Sequence, residues 1–160
     1  MKKFAKKALS VLFVAMIAGM MFTGCSKKTS DTIKIGGIFV IKIGLDAGHG
    51  LLTRGKETPD KIKEFYLNDR ICDKITSILK DYECEIIRTD NNEGYTDESL
   101  SSRLARYKSK KVDAFVSIHH NAFGDTWNNA TGVEVYVDKK ATSKDMKLAQ
   151  CVYDRLVKYT

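Results

Sequence analysis

Two regimes of apolar spacing meet near residue 41. Upstream lies a single run, residues 8 to 22, broken only by Ser10 and Gly19. Downstream, apolar positions come in short β-branched clusters separated by stretches at helical spacing. The clusters predict strands over residues 41 to 45, 83 to 89, 112 to 119 and 133 to 137. Helices are predicted from Pro59 to about residue 80, from 98 to 108, and from about Ser143 onward. In the first helix Ile71, Ile75, Ile78 and Leu79 share one face, with Cys72 beside them; in the last, Leu148, Val152 and Leu156 make the stripe. Residues 46 to 56 read as a glycine-rich loop and residues 91 to 95 as a turn cluster. Alternating strands and helices require right-handed crossovers. The expected fold class is therefore α/β: a mostly parallel twisted sheet with helices on both faces, in a single domain over residues 41 to 160.

The upstream run is set apart from that domain. Lys2, Lys3, Lys6 and Lys7 precede it, and small residues lead on to Cys25. A basic start, a mid-length apolar stretch and small residues at a cut site predict a secretory signal over residues 1 to 25; the run is short for a membrane span. Thr23 and Gly24 before Cys25 resemble a bacterial lipobox, whose cysteine is lipidated and becomes the mature N-terminus. That resemblance implies an exported lipoprotein anchored in the cell envelope, with an ordinary signal peptide or an uncleaved anchor as the alternatives. Residues 26 to 40 form a tether, SKKTSDT, followed by a strand-like segment, IKIGGIFV. The tetrapeptide IKIG recurs at 41 to 44. The stretch SDTIKIGGIFV resembles the mature start of bacterial substrate-binding lipoproteins for branched-chain amino acids. The first IKIG thus reads as part of a donated leader and the second as the start of a different domain; a chance repeat of a common strand pattern is the alternative.

Charge changes meaning once the leader is separated. The whole chain carries +7, but residues 41 to 160 hold 20 Lys and Arg against 19 Asp and Glu. Basicity concentrated in a leader argues against nucleic acid as a partner. With Cys25 assigned to lipid, Cys72, Cys84 and Cys151 form an odd set without zinc-finger or redox spacing. They read as buried free thiols, with one disulfide in an exported protein left open.

In a parallel sheet the carboxyl ends of the strands share one edge, and ligands bind outside it. His49 follows the first domain strand through Asp46, Ala47 and Gly48, and His119 closes the strand predicted over 112 to 119. Glycines at 48 and 50 permit the backbone angles of a turn that aims a side chain into a cleft. Glu64, near the start of the returning helix, can reach the same place. Singly, a histidine after a strand is more often a hydrogen-bonded loop residue, and a glutamate there can simply favour a helix N-terminus. Together, two histidines and a glutamate are three ligands for a catalytic zinc with a fourth position open to water.

Four blocks carry a more specific resemblance: IGLDAGHG at 43 to 50, EFYLN at 64 to 68, SLSSRLARYK at 99 to 108, and VSIHHNAF at 116 to 123 followed by GVEVYV at 132 to 137. In order and spacing they resemble the zinc-dependent N-acetylmuramoyl-L-alanine amidases of the amidase-3 family. The resemblance implies zinc held by His49, Glu64 and His119. Glu57 is the alternative second ligand, but it lacks the asparagine that Asn68 supplies four residues after Glu64. The resemblance further implies a substrate contact at Asn121 and a brace for the fold at Arg103, through an acidic partner. His120 stands where the family has a small residue and is expected as a substrate-cleft side chain.

The reaction implied is hydrolysis of the peptidoglycan amide between N-acetylmuramic acid and L-alanine, a substrate outside the membrane. The family's proton-shuttling glutamate lies on a further strand, expected after Thr160 and so absent from these 160 residues; Glu134 is the weak substitute. The alternatives are a catalytically impaired module that binds stem peptide and a related zinc peptidase cutting within it.

Overall fold

The computed structural model describes residues 10–14, 40–53, 55–90, 98–124, 126 and 128–159. Their order is β1 (Ser10–Val14), β2 (Ile41–Ala47), α1 (Glu64–Leu79), β3 (Cys84–Arg88), α2 (Leu100–Ser109), β4 (Ala114–Asn121), β5 (Val133–Tyr136) and α3 (Ser143–Tyr159). Cys25, the tether through residue 39 and the turn cluster at 91 to 95 lie outside the described residues. No helix among the described residues is long and apolar enough to cross a membrane.

The strands form one sheet in the order β3-β2-β4-β1-β5. β2 is central to the site because β3 and β4 flank it, both parallel to it. The crossovers β2-α1-β3 and β3-α2-β4 run in opposite directions across the sheet, so a common right hand places α1 and α2 on opposite faces. The packing agrees. Leu45, Ala47 and Ile118 meet Phe65 and Cys72 of α1 on one face, with Val116, Val135 and Leu156 packed against that cluster. Phe115 meets Tyr107 of α2 and Val112 on the other face, beside Ile87. The pleat thus sends alternate residues of β4 to different helices.

Three details differ from the sequence expectation, and two of them bear on the site. First, α1 begins at Glu64 rather than after Pro59. Residues 57 to 63 close on themselves through a Glu57–Lys63 bridge, with Lys61 in the left-handed region at φ 66° and Ile62 N–H donating to Thr58 Oγ1 at 3.0 Å. This turn delivers Glu64 as the first residue of the helix. Second, β2 and β4 each run two residues further than expected, so His119 lies inside a strand that continues to Asn121. Third, Ile78 is half exposed, because the face of α1 that packs is set by Phe65, Asn68 and Cys72 and leaves Ile78 at its edge.

β1 falls within the residues read as a signal. It runs antiparallel to β4, with Leu12 opposite His119, and parallel to β5. β4 and β5 do not pair with each other in this order, so each offers an open row of backbone groups that a short apolar segment can satisfy. Cys72 and Cys151 carry free thiols; Cys72 is buried and Cys84 half-buried, whereas Cys151 is exposed on α3 against the expectation of a buried thiol. Burial pushes the Cys72 thiol up, which keeps it protonated and inert.

Candidate metal centre

Parallel pairing of β2 with β4 sets Asp46 opposite Ser117 and Ala47 opposite Ile118. The pairing extends one step past β2, where Gly48 N–H donates to Ile118 O at 2.9 Å. The chain then turns at His49, which takes a left-handed φ of 67°. Its imidazole and that of His119 come to a centroid separation of 4.9 Å, nearly perpendicular at 81°. Gly48 makes the approach possible: a Cβ there would fall 2.1 Å from His119 Cε1.

Glu64 joins them from the first turn of α1 and is 4 % exposed. Its Oε1 lies 3.1 Å from His119 Nδ1 and accepts from His120 N–H at 3.0 Å. Its Oε2 lies 3.4 Å from His49 Nε2 and accepts from Lys56 N–H at 2.7 Å. The loop returns the contact, because Glu64 N–H donates to Lys56 O at 2.8 Å. Gly55 fits beneath this arrangement; a Cβ there would sit 3.0 Å from both Glu64 Cβ and Glu64 Oε2. One donor atom from each of His49, Glu64 and His119 lies within 4.8 Å of the others.

Electrostatics prepare the group for a cation. Burial lowers the His49 pKa from 6.5, helped by the charges of His119 and Arg103 and opposed by Glu64 and Asp46. Burial works to raise that of Glu64, but the His119 hydrogen bond, the Lys56 N–H and the two imidazoles outweigh it and hold the carboxylate below its usual 4.5. A neutral imidazole and an ionised carboxylate are the ligating forms. Two nitrogens and one carboxylate suit zinc, and the His49 and His119 side chains keep 27 % and 23 % of their surface open to solvent.

Two supporting hubs stand behind the three residues. Asp46, 3 % exposed, accepts from Arg103 Nη1 at 2.9 Å and from Ser117 Oγ at 2.6 Å. It is the acidic partner expected for Arg103. Asn68, fully buried on the packed face of α1, donates through Nδ2 to Gly48 O at 2.9 Å and accepts at Oδ1 from His120 Nδ1, 2.7 Å away. With Asn68 Nδ2 committed to a carbonyl, the His120 proton sits on Nδ1. His120 is thus turned inward at 7 % exposed, not displayed in the cleft as the sequence suggested, and burial lowers its pKa against the pull of Glu64.

Glu57 and Glu134 are not among the converging residues. Glu57 pairs with Lys61 at 3.0 Å and bridges to Lys63, so it serves the turn. Glu134 is exposed on β5. Asn121 ends β4 with its Oδ1 accepting from Ala122 N–H at 2.9 Å. Gly55 and the Lys56 N–H were not legible in the sequence. Asn68 entered the sequence reading only as the asparagine four residues after Glu64; a polar residue on a packing face is the signal that could have marked it as a buried contact.

The shifts fix a pH dependence for the metal-free protein. His49 and His120 both have folded pKa values below 6.5, so below that pH the unfolded chain binds more protons than the folded one. Stability is full above pH 6.5 and falls with acidification through their lowered values. Melting temperatures taken from pH 8 to 5 should decline below about 6.5, and a flat profile would contradict the buried, neutral histidines.

Comparison with known proteins gives the family. The Amidase_3 family model, described as N-acetylmuramoyl-L-alanine amidase, matches residues 43–160. The N-acetylmuramoyl-L-alanine amidase AmiC of Neisseria meningitidis serogroup B (strain ATCC BAA-335 / MC58) is 30% identical over 108 residues, 68% of this chain and 26% of that protein. The chain therefore spans about a quarter of the length of this curated relative. No solved structure matches.

Proposed function

Because the chain belongs to the N-acetylmuramoyl-L-alanine amidase family, we propose that it hydrolyses the peptidoglycan amide between N-acetylmuramic acid and L-alanine, using zinc held by His49, Glu64 and His119. The observation that carries this reading is the convergence of two imidazoles and one carboxylate at the shared edge of β2 and β4. Bound there, zinc supplies Lewis-acid polarisation of the scissile carbonyl and a nucleophilic water at neutral pH. The chain's own part is preparation. Backbone N–H groups of Lys56 and His120 orient the Glu64 carboxylate, and burial keeps His49 deprotonated. Asn121, at the end of β4, offers its side-chain amide to a substrate oxygen.

The same reading makes residues 1–25 an export signal, 26–40 a tether and 41–160 the amidase domain, with lipid on Cys25 holding the protein in the cell envelope. Signal cleavage before Cys25 would take β1 with it and leave the facing edges of β4 and β5 to another strand. Intact mass of the membrane fraction checks this: a mature chain starting at a diacylated cysteine is expected, and one retaining residues 1–24 is not.

For the activity, purified peptidoglycan is incubated with zinc-loaded protein and with protein stripped by a chelator, and the products are identified by mass spectrometry. Intact stem peptides with a free N-terminal alanine are expected from the loaded protein alone. Fragments cut inside the stem peptide would replace the amidase by a peptidase, and binding to the wall with no products would make the chain a recognition module.

A further inference from the structure

Three successive peptide carbonyls of the His49 turn are held by side chains, from two helices. Arg103 of α2 donates through Nη1 to Ala47 O at 2.8 Å and through Nη2 to His49 O. Asn68 of α1 donates to the carbonyl between them, Gly48 O, at 2.9 Å. Arg103 is 5 % exposed and Asn68 fully buried. Arg103 is itself aimed by Asp46, which Ser117 of β4 holds in turn. The segment so gripped contains a non-glycine residue at φ 67°, a conformation the chain leaves unless the surroundings over-determine it.

We propose that Arg103 and Asn68 are positioning residues that fix the peptide planes of Ala47, Gly48 and His49 and thereby aim the His49 imidazole at Glu64 before any metal arrives. The inference rests on the metal reading above and deepens it. Only a planar, forked donor can pair with Asp46 and reach the carbonyls of Ala47 and His49 together; a lysine ammonium keeps the charge pair and loses the fork. Neither Arg103 nor Asn68 is among the three converging groups, so their effect passes through the backbone.

The test compares the full chain with Arg103→Lys, Asn68→Ala and Arg106→Lys. Arg106 lies on the same helix but binds Thr89 O and Glu98, away from the turn, and controls for general loosening of α2. Zinc affinity is measured by competition with a chromogenic chelator at fixed pH, on protein shown to be folded by circular dichroism. Arg103→Lys and Asn68→Ala are expected to bind zinc about 10- to 100-fold more weakly, and Arg106→Lys with unchanged affinity. Wild-type affinity in either clamp variant overturns the proposal. Asn68→Ala keeps the Asp46–Arg103 pair and carries the test where Arg103→Lys does not fold. The His49 ring signals of the metal-free protein give a second readout: shifted or multiple in the clamp variants, as wild type in Arg106→Lys. Unchanged His49 signals sink the clamp whether or not zinc binds, whereas failure of the wild type to bind zinc removes the metal reading alone.

Discussion

Replacing Gly48 by alanine is expected to cost the proposed zinc site most of its affinity, approaching the loss from His119→Ala. The added Cβ would lie 2.1 Å from His119 Cε1, 2.2 Å from Nε2 and 2.6 Å from Cδ2, well inside contact distance of the whole ring edge. The backbone cannot yield to it. Gly48 N–H is bound to Ile118 O and Gly48 O to Asn68, both at 2.9 Å. The ring must therefore move, and any rotation breaks its 3.1 Å contact with Glu64. Overpacking of this kind costs about 1–3 kcal/mol, so a folded variant with a spoiled site is the expected result. Chelator competition and thermal melting on the same sample separate the two effects. Wild-type zinc affinity in Gly48→Ala would mean that His119 does not ligate.

The largest effect on stability is expected from Asp46→Ala. Asp46 and Arg103 are 3 % and 5 % exposed, and their ion pair spans 2.9 Å. Removing the carboxylate leaves a buried guanidinium with carbonyl partners only, a situation that costs about 3–5 kcal/mol. The Ser117 hydroxyl loses its acceptor as well. A domain of this size is stable by only about 5–15 kcal/mol, so Tm should fall by roughly 10 °C or more. Ser117→Ala removes one neutral donor to the same carboxylate and should cost about 1 kcal/mol. A loss from Asp46→Ala no larger than that from Ser117→Ala would show that the pair contributes little to folding.

Legibility in the sequence follows the range of the interactions. The strands at 41, 84, 114 and 133 and the three helices at 64, 100 and 143 were visible because periodicity belongs to a segment and needs no partner. His49 was visible as a candidate because glycines on both sides announce a special turn. Glu64 was visible as a residue, but its placement depended on the Glu57–Lys63 bridge, which delays the helix and presents the carboxylate in its first turn.

His119 and His120 show the boundary most directly. The family resemblance names His119 as the ligand, but the local pattern says only that neighbours on a strand face opposite ways, not which ring meets Glu64. The seat of α1 decides: Asn68 takes His120 inward, and Gly48 leaves room for the ring of His119 beside Glu64. The supporting pairs lie beyond any local pattern, since Arg103 and Asp46 are 57 residues apart and Ser117 and Asp46 71. By itself, the sequence determined the segments, their alternation and the residue types able to hold a metal. The register of β2 on β4 and the packing of two helices on opposite faces decided which of those residues converge, because convergence is a relation between segments that no single segment encodes.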